Sequence, residues 1–219
     1  MGLPIEVLYV AESRAKDKTM VNFVGALQPV ELVAVEDRVF SGMVDTESPQ
    51  GVAALVKLPD FDWDAISKRS PLAVVAWQLQ DPGNLGALIR SADAFGAQCV
   101  HLAQSTVNPY NQKVIRATAG SVFRVPCFQW QDPNALIRDL RERGFRFITT
   151  SSHFGIDFRQ VDYKGSVALF IGNEGRGLPH HLAKAADVQI QIPQARIESL
   201  NAAVAASIIL AEGWRQRSR

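Results

Sequence analysis

The order of apolar and polar positions divides the chain into strand-like and helix-like segments. Unbroken apolar runs, PLAVVAWQL at 71–79 and VALFIG at 167–172, are typical of strands buried on both faces of a parallel sheet. Between these runs, NLGALIRSADAFGA at 84–97 repeats its apolar residues at helical spacing. The apolar stripe of this predicted helix consists of Leu85, Leu88, Ile89, Ala92 and Phe95.

The same alternation continues to the end of the chain. Further strands are predicted at CVHLA (99–103), VFRVPCF (122–128), FRFITTS (145–151) and DVQIQIP (187–193). Helices are predicted at NQKVIRAT (111–118), at PNALIRDLRERG (133–144), which ends on Gly144 in the C′ position, and at SLNAAVAASIILAEGWRQR (199–217). Strands alternating with helices of these lengths indicate an α/β fold whose mostly parallel sheet is covered on both sides.

A smaller α/β unit precedes this sheet. It contains strand-like segments at 5–11, 31–36 and 51–58 and a helical segment at 17–27. The stretch PDFDWDAISKRSP at 59–71 is polar and bracketed by prolines, so we interpret it as a linker. The sequence thus predicts two domains, at 1–68 and 69–219.

Composition limits the class of protein. A chain of 219 residues that is 47% hydrophobic and 21% charged is typical of a soluble globular protein. Its apolar runs are too short or too rich in small residues for a membrane span, and its first residues lack the pattern of a signal peptide, so we expect a cytoplasmic location. Cys99, Cys127 and the four histidines form no metal-ligand spacing, which predicts buried free thiols and no metal site.

Charge is distributed unevenly along the chain. The net charge is +1, but residues 1–70 carry seven Lys and Arg against eleven Asp and Glu, a balance of −4. The remaining residues have a balance of +5. A polyanionic ligand is therefore expected on the second domain.

The stretch LFIGNEGRGLP at 169–179 predicts a glycine-rich turn after a strand. It lacks the lysine and hydroxyl residue of a phosphate-binding P-loop. Its glycines, Gly172, Gly175 and Gly177, follow the order G-x-x-G-x-G, which is not the dinucleotide fingerprint. Since the carboxylate of Glu174 would repel a pyrophosphate, a ligand without phosphate that is neutral or cationic fits better, such as the sulfonium S-adenosylmethionine.

Two other stretches also place polar residues beside a predicted helix, where a ligand could bind. Asn84 follows an Asp-Pro-Gly turn, where its side chain can cap the helix, and Arg90 lies on the flank away from the apolar stripe. Taken alone, Arg90 is explained as a solvated helix arginine. Ser199 precedes the last helix and, taken alone, is explained as its N-cap.

Together the three stretches resemble the three motifs of the SpoU (TrmH) family of RNA ribose 2′-O-methyltransferases, in the SPOUT superfamily. Asn84 and Arg90 match the N-x-x-x-x-x-R of the first motif, and GNEGRG at 172–177 matches G-N-E-x-x-G. The third motif, S-L-N after Ile-Pro, matches residues 192–193 and 199–201. KVIRATAGSVFRVP at 113–126 resembles the stretch between the first two motifs, so the resemblance covers about residues 70–215.

The resemblance implies a fold, a cofactor and a set of site residues. The fold is a parallel α/β sheet with a C-terminal trefoil knot, preceded by a small, truncated α/β domain that resembles part of a substrate-binding domain. The implied catalytic residues are Arg90, Asn84, Glu174, Ser199 and Asn201. S-adenosylmethionine would be bound by Gly172, Asn173, Gly177, Ile192, Pro193, Leu200 and Asn201. We assign RNA contacts to the basic residues of the stretch 113–126, Lys113, Arg116 and Arg124, which are equally explained as a solvated basic face.

The role of Arg90 stays open at this level. The family assigns this arginine to activation of the ribose hydroxyl, but a guanidinium with a pKa above ~12 is a poor base. It could equally bind the adjacent phosphate and stabilise a developing alkoxide. Asn84 would orient Arg90 or the ribose, and Glu174 would balance the charge of Arg90 or hold the shape of the site. Ser199 and Asn201 would fix the active-site loop and the cofactor.

The sequence also departs from the family pattern and leaves alternatives. Where the family often has Ile-Pro-Met, this chain has IPQARIES, with Gln194 in place of Met and one residue fewer. Ribosomal RNA is favoured as the substrate, transfer RNA is the runner-up, and a homodimer is implied by the resemblance. The rival hypotheses are a catalytically silent RNA-binding module and a dinucleotide-dependent oxidoreductase.

Overall fold

The computed structural model describes residues 4–27, 30–46 and 48–218. The chain separates into two compact units, Met1–Asp60 and Phe61–Arg219. The first unit contains, in chain order, β1 (Ile5–Ala11), α1 (Glu12–Ala15), α2 (Lys18–Gly25), β2 (Glu31–Val35), α3 (Asp37–Met43) and β3 (Val52–Val56). Its sheet has the order β2-β1-β3, with β1 parallel to β2 and antiparallel to β3.

The second unit carries the larger sheet and its helices. It contains α4 (Trp63–Ser67), β4 (Leu72–Ala76), α5 (Pro82–Ala94), β5 (Cys99–Leu102), α6 (Gln112–Thr118), β6 (Cys127–Gln129), α7 (Pro133–Glu142), β7 (Arg146–Thr150), β8 (Ile156–Asp157), β9 (Val167–Ile171), α8 (His180–Ala185), β10 (Val188–Gln191) and α9 (Ala202–Arg217). The seven strands have the order β6-β5-β4-β9-β7-β10-β8, and every pairing is parallel.

The core of this unit lies on the two faces of its central strands. Every residue of β4 and of β9 is buried, as the unbroken apolar runs predicted. Alternate residues of β4 enter different clusters, because side chains of a strand point to opposite faces. Leu72, Val74 and Ala76 pack in one cluster with residues of α5, α6 and α9, while Ala73 and Val75 pack in the other with residues of α7 and α8.

One predicted strand is only partly formed. In the stretch 122–128 the structure has a 3-10 helix at Ser121–Phe123, and only Cys127–Gln129 pairs as β6. Ala119 and Gly120 both have left-handed backbone angles, which turn the chain before this stretch, and Pro126 has no N–H for a sheet hydrogen bond. The prediction of a continuous strand was therefore wrong at its first half.

The predicted linker at 59–71 contains helix α4, which packs on the second unit. Its N-cap is Asp62, whose side chain accepts a hydrogen bond of 3.0 Å from the Ala65 N–H. Trp63 donates to Asp139 on α7 at 2.8 Å, and Arg143 bonds Asp139 at 2.9 Å and Ser67 of α4 at 2.8 Å. These contacts explain why the compact units divide at Asp60 and Phe61, before the predicted boundary at 68–69.

The last helix buries a different face from the one its sequence suggested. In the sequence, the helical spacing of one apolar stripe predicts that most of its residues pack in the core, namely Leu200, Val204, Ile208, Ala211 and Trp214. Val204 and Trp214 are instead 48% and 52% exposed. The buried residues of α9 are Ala203, Ala206, Ile209, Leu210 and Gly213, so its small residues allow close packing and leave a larger apolar pair at the surface.

Both cysteines are free thiols, as expected, although only Cys99 is fully buried and Cys127 is half-buried. Burial raises the pKa of the Cys127 thiol to about 12, so it stays protonated at neutral pH. Among the residues that the structure describes, no group of three or more His, Cys, Asp or Glu side chains could hold a metal ion. Within the same residues, no helix is long and apolar enough to cross a membrane.

His101 lies in an aromatic cluster on the sheet face covered by α4. Its ring is fully buried, with the Trp63 ring centroid at 4.5 Å, and its Nδ1 accepts a hydrogen bond of 3.0 Å from Trp130 Nε1. This bond requires the tautomer with the proton on Nε2. Burial is the main cause that lowers the pKa of His101 to about 3, so the imidazole is neutral in the folded protein.

We expect His101 to make the second unit sensitive to acid. Between pH 6.5 and about 3 the unfolded chain binds a proton at His101 that the folded chain does not, so stability falls as the pH falls through this window. His101→Gln should remove up to roughly 1.4 kcal/mol per pH unit from the slope of unfolding free energy between pH 6 and 4.5. Urea unfolding at several pH values measures this slope.

The matched control is His181→Gln, because His181 is exposed on α8. This control should keep the wild-type slope. An unchanged slope in His101→Gln would show that another group causes the acid sensitivity.

Candidate functional site

A cavity of about 460 Å³ opens at the carboxyl ends of β7, β9 and β10. These strands lie next to one another on the side of β4 opposite β5, so the strand order reverses at β4. Ligands bind at this kind of position in open parallel sheets. The lining comes from residues 150–154, 171–178, 189, 190 and 192, from 194 and 198–200, and from Ala183, Ala202, Ala205 and Ile209.

The glycine-rich turn after β9 closes on itself. Asn173 and Gly177 exchange two main-chain hydrogen bonds, of 3.1 and 2.9 Å. A Cβ atom on Gly172 would lie 2.5 Å from the carbonyl carbon of Gly177, and Gly177 itself has a φ of +64°. Gly172 is thus required by the returning turn.

The side chain of Asn173 fixes this turn to the sheet. Its Oδ1 accepts hydrogen bonds from the N–H groups of Gly175 and Arg176, at 3.0 and 3.1 Å. Its Nδ2 donates to the main-chain oxygen of Gln78, just beyond β4, at 2.8 Å. The amide of Asn173 is therefore occupied inside the protein, and the residue shapes the cavity wall.

Asn84 does not cap helix α5. The N-cap is Asp81, whose Oδ1 accepts a 2.7 Å hydrogen bond from the Asn84 N–H. The predicted cap was wrong because a residue three positions earlier already fulfils that role. The Asn84 side chain instead donates from Nδ2 to Glu174 Oε1 at 3.0 Å, and its Oδ1 accepts from Asn201 Nδ2 at 2.7 Å.

Asn201 takes the capping position that was considered for Ser199. Its Oδ1 accepts hydrogen bonds from the N–H groups of Ala203 and Val204, at 2.9 and 3.2 Å, and so begins helix α9. Ser199 is exposed and lines the cavity. The side chains of Glu174, Asn84 and Asn201 thus form one hydrogen-bonded chain, which joins a turn, the start of α5 and the start of α9.

The predicted site residues divide into those at the cavity and those beside it. Residues that line the cavity are Gly172, Asn173, Glu174, Gly177, Ile192, Ser199 and Leu200. Asn84, Pro193 and Asn201 are not among the lining residues, although Asn84 and Asn201 connect to Glu174 through the hydrogen-bonded chain. Arg90 also lies outside the lining, six residues or about 9 Å of helix rise from Asn84.

Arg90 is a solvent-exposed side chain on α5. Within the described ranges it makes no hydrogen bond or ion pair, so its guanidinium is available for an external anion. The helix buries Leu85, Leu88, Ile89 and Ala92, which confirms four members of the predicted stripe and places Arg90 on the exposed flank. The fifth, Phe95, is the C-cap and is only partly buried.

The basic residues assigned to RNA have different environments. Lys113 and Arg116 are exposed on α6. Arg124 is exposed as well, but its Nε and Nη2 donate to Asp93 on α5, at 3.0 and 2.5 Å. The charge of Arg124 is therefore balanced locally by Asp93, while α6, which carries the other two, packs against α5.

Sequence reasoning missed one wall of the cavity. Ser151, Ser152, His153 and Phe154 line it directly after β7, and Phe154 is 71% exposed. A usable signal existed, because a polar segment at the carboxyl end of a parallel strand is a common binding position. Arg176 and Glu198 were also missed, and they place one cation and a second carboxylate on the lining.

Comparisons with known proteins agree with the motif arrangement. The SpoU rRNA Methylase family model matches residues 71–211. The 23S rRNA (guanosine(2553)-2'-O)-methyltransferase RlmP of Bacillus subtilis is 33% identical over 182 residues, which cover 83% of this chain and 71% of the relative.

Solved structures extend the comparison. The SpoU methyltransferase AviRb from Streptomyces viridochromogenes, in complex with the cofactor AdoMet, superposes with a TM-score of 0.88 at 31% identity and covers 99% of this chain and 84% of its own. The TrmH/SpoU tRNA modifying enzyme of A. aeolicus has a TM-score of 0.61 at 28% identity and covers 71% of this chain and 82% of its own. The chain described here belongs to the SpoU rRNA methylase family.

Proposed function

We propose that this protein transfers a methyl group from S-adenosylmethionine to a ribose 2′-hydroxyl of RNA, with ribosomal RNA as the substrate. The observation that carries the proposal is the hydrogen-bonded chain Glu174–Asn84–Asn201, which gathers all three family motifs beside one cavity. A cytoplasmic location belongs to the same proposal, because the enzyme has to reach that RNA.

The cavity suits S-adenosylmethionine in size and chemistry. A volume of about 460 Å³ is within the usual range for a small-molecule site. Its lining combines apolar side chains with two carboxylates, Glu174 and Glu198, and one guanidinium, Arg176, and this net negative charge favours a cationic sulfonium over a pyrophosphate. We place the cofactor against Gly172, Asn173, Gly177, Ile192, Pro193, Leu200 and Asn201.

We also propose that the chain is threaded into the trefoil knot of the family. The support is local: β9 lies between β4 and β7, and the segment before α9 returns to α5, where Asn201 bonds Asn84. In this arrangement the glycine-rich turn and the segment 192–201 form two walls of one site.

The chemistry requires in-line positioning and a way to lower the energy of the attacking oxygen. The sulfonium supplies an activated methyl group, so the protein does not need to activate it further. A guanidinium stays protonated, and we therefore assign Arg90 to binding the phosphate next to the ribose and stabilising negative charge on its 2′-oxygen. Its exposed position outside the cofactor cavity fits a residue that contacts RNA.

The remaining catalytic candidates act by positioning. Asn84 does not reach Arg90 through any hydrogen bond in the described residues; it holds Glu174 and Asn201. Glu174 then presents its carboxylate at the cavity wall, Asn201 fixes the start of α9, and Ser199 lies exposed at the cavity. This set keeps the cavity in one shape while RNA approaches from the Arg90 side.

A homodimer is part of the proposal. Val204 and Trp214 leave apolar surface exposed on α9, which packs along α5. A second copy that covers this surface would bury both side chains and rigidify the helix pair that carries Asn84, Arg90 and Asn201.

Ribosomal RNA is preferred to transfer RNA on the extent of the matches. The 23S rRNA methyltransferase RlmP aligns with 83% of this chain, whereas the tRNA modifying enzyme of A. aeolicus covers 71% of it. The first unit is proposed to help select the RNA, as a substrate-binding domain.

The direct test is transfer of a labelled methyl group to RNA, with Arg90→Ala as the diagnostic variant. Wild-type protein should label ribose in ribosomal RNA. Arg90→Ala should lower turnover by roughly 100-fold or more, because electrostatic stabilisation of an oxyanion is commonly worth that much. Its affinity for S-adenosylmethionine should stay within about twofold, because Arg90 does not line the cavity.

The matched control is Arg138→Ala, an exposed arginine on α7, which should keep wild-type turnover. Arg90→Lys keeps the charge but loses the planar fork and should be intermediate. Full turnover in Arg90→Ala would remove this residue from the chemistry. Cofactor binding without methylation of ribosomal or transfer RNA would favour a silent RNA-binding module, and stabilisation by NAD alone would favour an oxidoreductase.

Neutralising the basic surface of α6 should weaken RNA binding in a salt-dependent manner. Each phosphate contact that is lost lowers the slope of log affinity against log salt concentration by about 0.7–0.9. The double variant Lys113→Ala, Arg116→Ala should therefore show a slope shallower by about 1.5, measured by titration at several salt concentrations. Lys164→Ala, at another exposed position, serves as the control, and an unchanged slope in the double variant would exclude this surface.

A further inference from the structure

Gln194 contributes an unusual atom to the wall of the cavity. Its Oε1 is buried and has no hydrogen-bond partner, which is true of only three side-chain atoms in the part of the chain that the structure describes. The other two, Trp77 Nε1 and Thr149 Oγ1, belong to residues that do not line the cavity. Of these three unpartnered atoms, only Gln194 Oε1 belongs to a residue that lines the cavity.

A buried carbonyl oxygen without a donor destabilises the empty protein. Methionine has the same length and no such oxygen, so packing alone does not require glutamine at this position. The terminal torsion of a glutamine amide is broad, which lets the group turn toward the cavity when a donor arrives. The position of this amide therefore fits a ligand that brings a hydrogen-bond donor.

Other amide side chains at the cavity are less suited to this role. Asn173 uses its Oδ1 for two main-chain N–H groups and its Nδ2 for the oxygen of Gln78. Asn84 is occupied by Glu174 and Asn201, and it does not line the cavity. Gln189 lines the cavity from β10, but its side-chain oxygen is not among the buried unpartnered atoms of the described chain.

The chemistry of the amide matches the edge of an adenine. Glutamine offers one acceptor and two donors on its amide, and adenine offers a donor at its 6-amino group beside a ring-nitrogen acceptor. Ile192, Leu200 and Ile209 line the same cavity and provide apolar surface for the faces of a purine. On the edge that carries N7, a base with a keto oxygen at position 6 presents two acceptors, so the amide oxygen of Gln194 would find no donor there.

We propose that Gln194 is a specificity-determining residue that reads the 6-amino edge of the cofactor's adenine. This inference rests on the proposed function, since it takes the cavity to be the S-adenosylmethionine site. It adds a side-chain contact that discriminates adenine from hypoxanthine, at the position where the sequence departs from the family pattern.

The experiment compares the wild type and Gln194→Met with two ligands that differ at position 6 of the base. Dissociation constants of S-adenosylhomocysteine and of its inosine counterpart, which lacks the 6-amino group, are measured by calorimetry for the wild type and Gln194→Met. The wild type should prefer the adenosine ligand by about tenfold or more, as a bidentate amide contact allows. Gln194→Met should lose most of that preference by weakening the adenosine ligand while retaining the inosine ligand.

The controls separate a direct contact from a general disturbance. Gln189→Met changes the same residue type in the same cavity, and its preference ratio should equal that of the wild type. Gln194→Met should unfold at or above the wild-type temperature, because it removes an unpartnered buried oxygen. Equal preference ratios in wild type and Gln194→Met, or equal losses in both variants, would overturn the assignment; absence of binding to both ligands by the wild type would overturn the cofactor site itself.

Discussion

The site depends on one side-chain amide that is shared by three distant parts of the chain. Asn84 donates to Glu174, 90 positions later, and accepts from Asn201, 117 positions later. Both ends of the amide are used, so its orientation is fixed. The amide thereby ties the turn after β9 and the start of α9 to α5, in addition to the apolar packing of α9 along α5.

This constraint links stability to function. The turn is closed internally by Asn173 and Gly177, and α9 is capped by Asn201 itself, so each piece also has hydrogen bonds of its own. The amide of Asn84 then sets their separation, and the cavity of about 460 Å³ lies where the turn and the segment before α9 face one another. The proposed cofactor site is thus a product of polar contacts placed on a rigid apolar sheet.

Much of this architecture was predictable, because the spacing of apolar residues along the chain indicates which side chains are buried. The apolar runs that became β4 and β9 predicted a parallel sheet, and the motifs predicted which loops carry the site. The features that the sequence did not predict depend on individual side-chain contacts, which the spacing of apolar residues does not reveal. Helix α4 has five residues and is held by Trp63 and Arg143, Asp81 replaced Asn84 as a cap, and α9 turned its small residues inward while exposing Trp214.

The most direct measurement is a double-mutant cycle on methyl transfer, with Asn84→Ala, Glu174→Ala and the combined variant. If the two side chains act as one unit, the combined variant should lose about as much kcat/KM as the more damaged single variant, since removing either partner already releases the turn from α5. Losses that simply multiply would show independent roles and contradict the account.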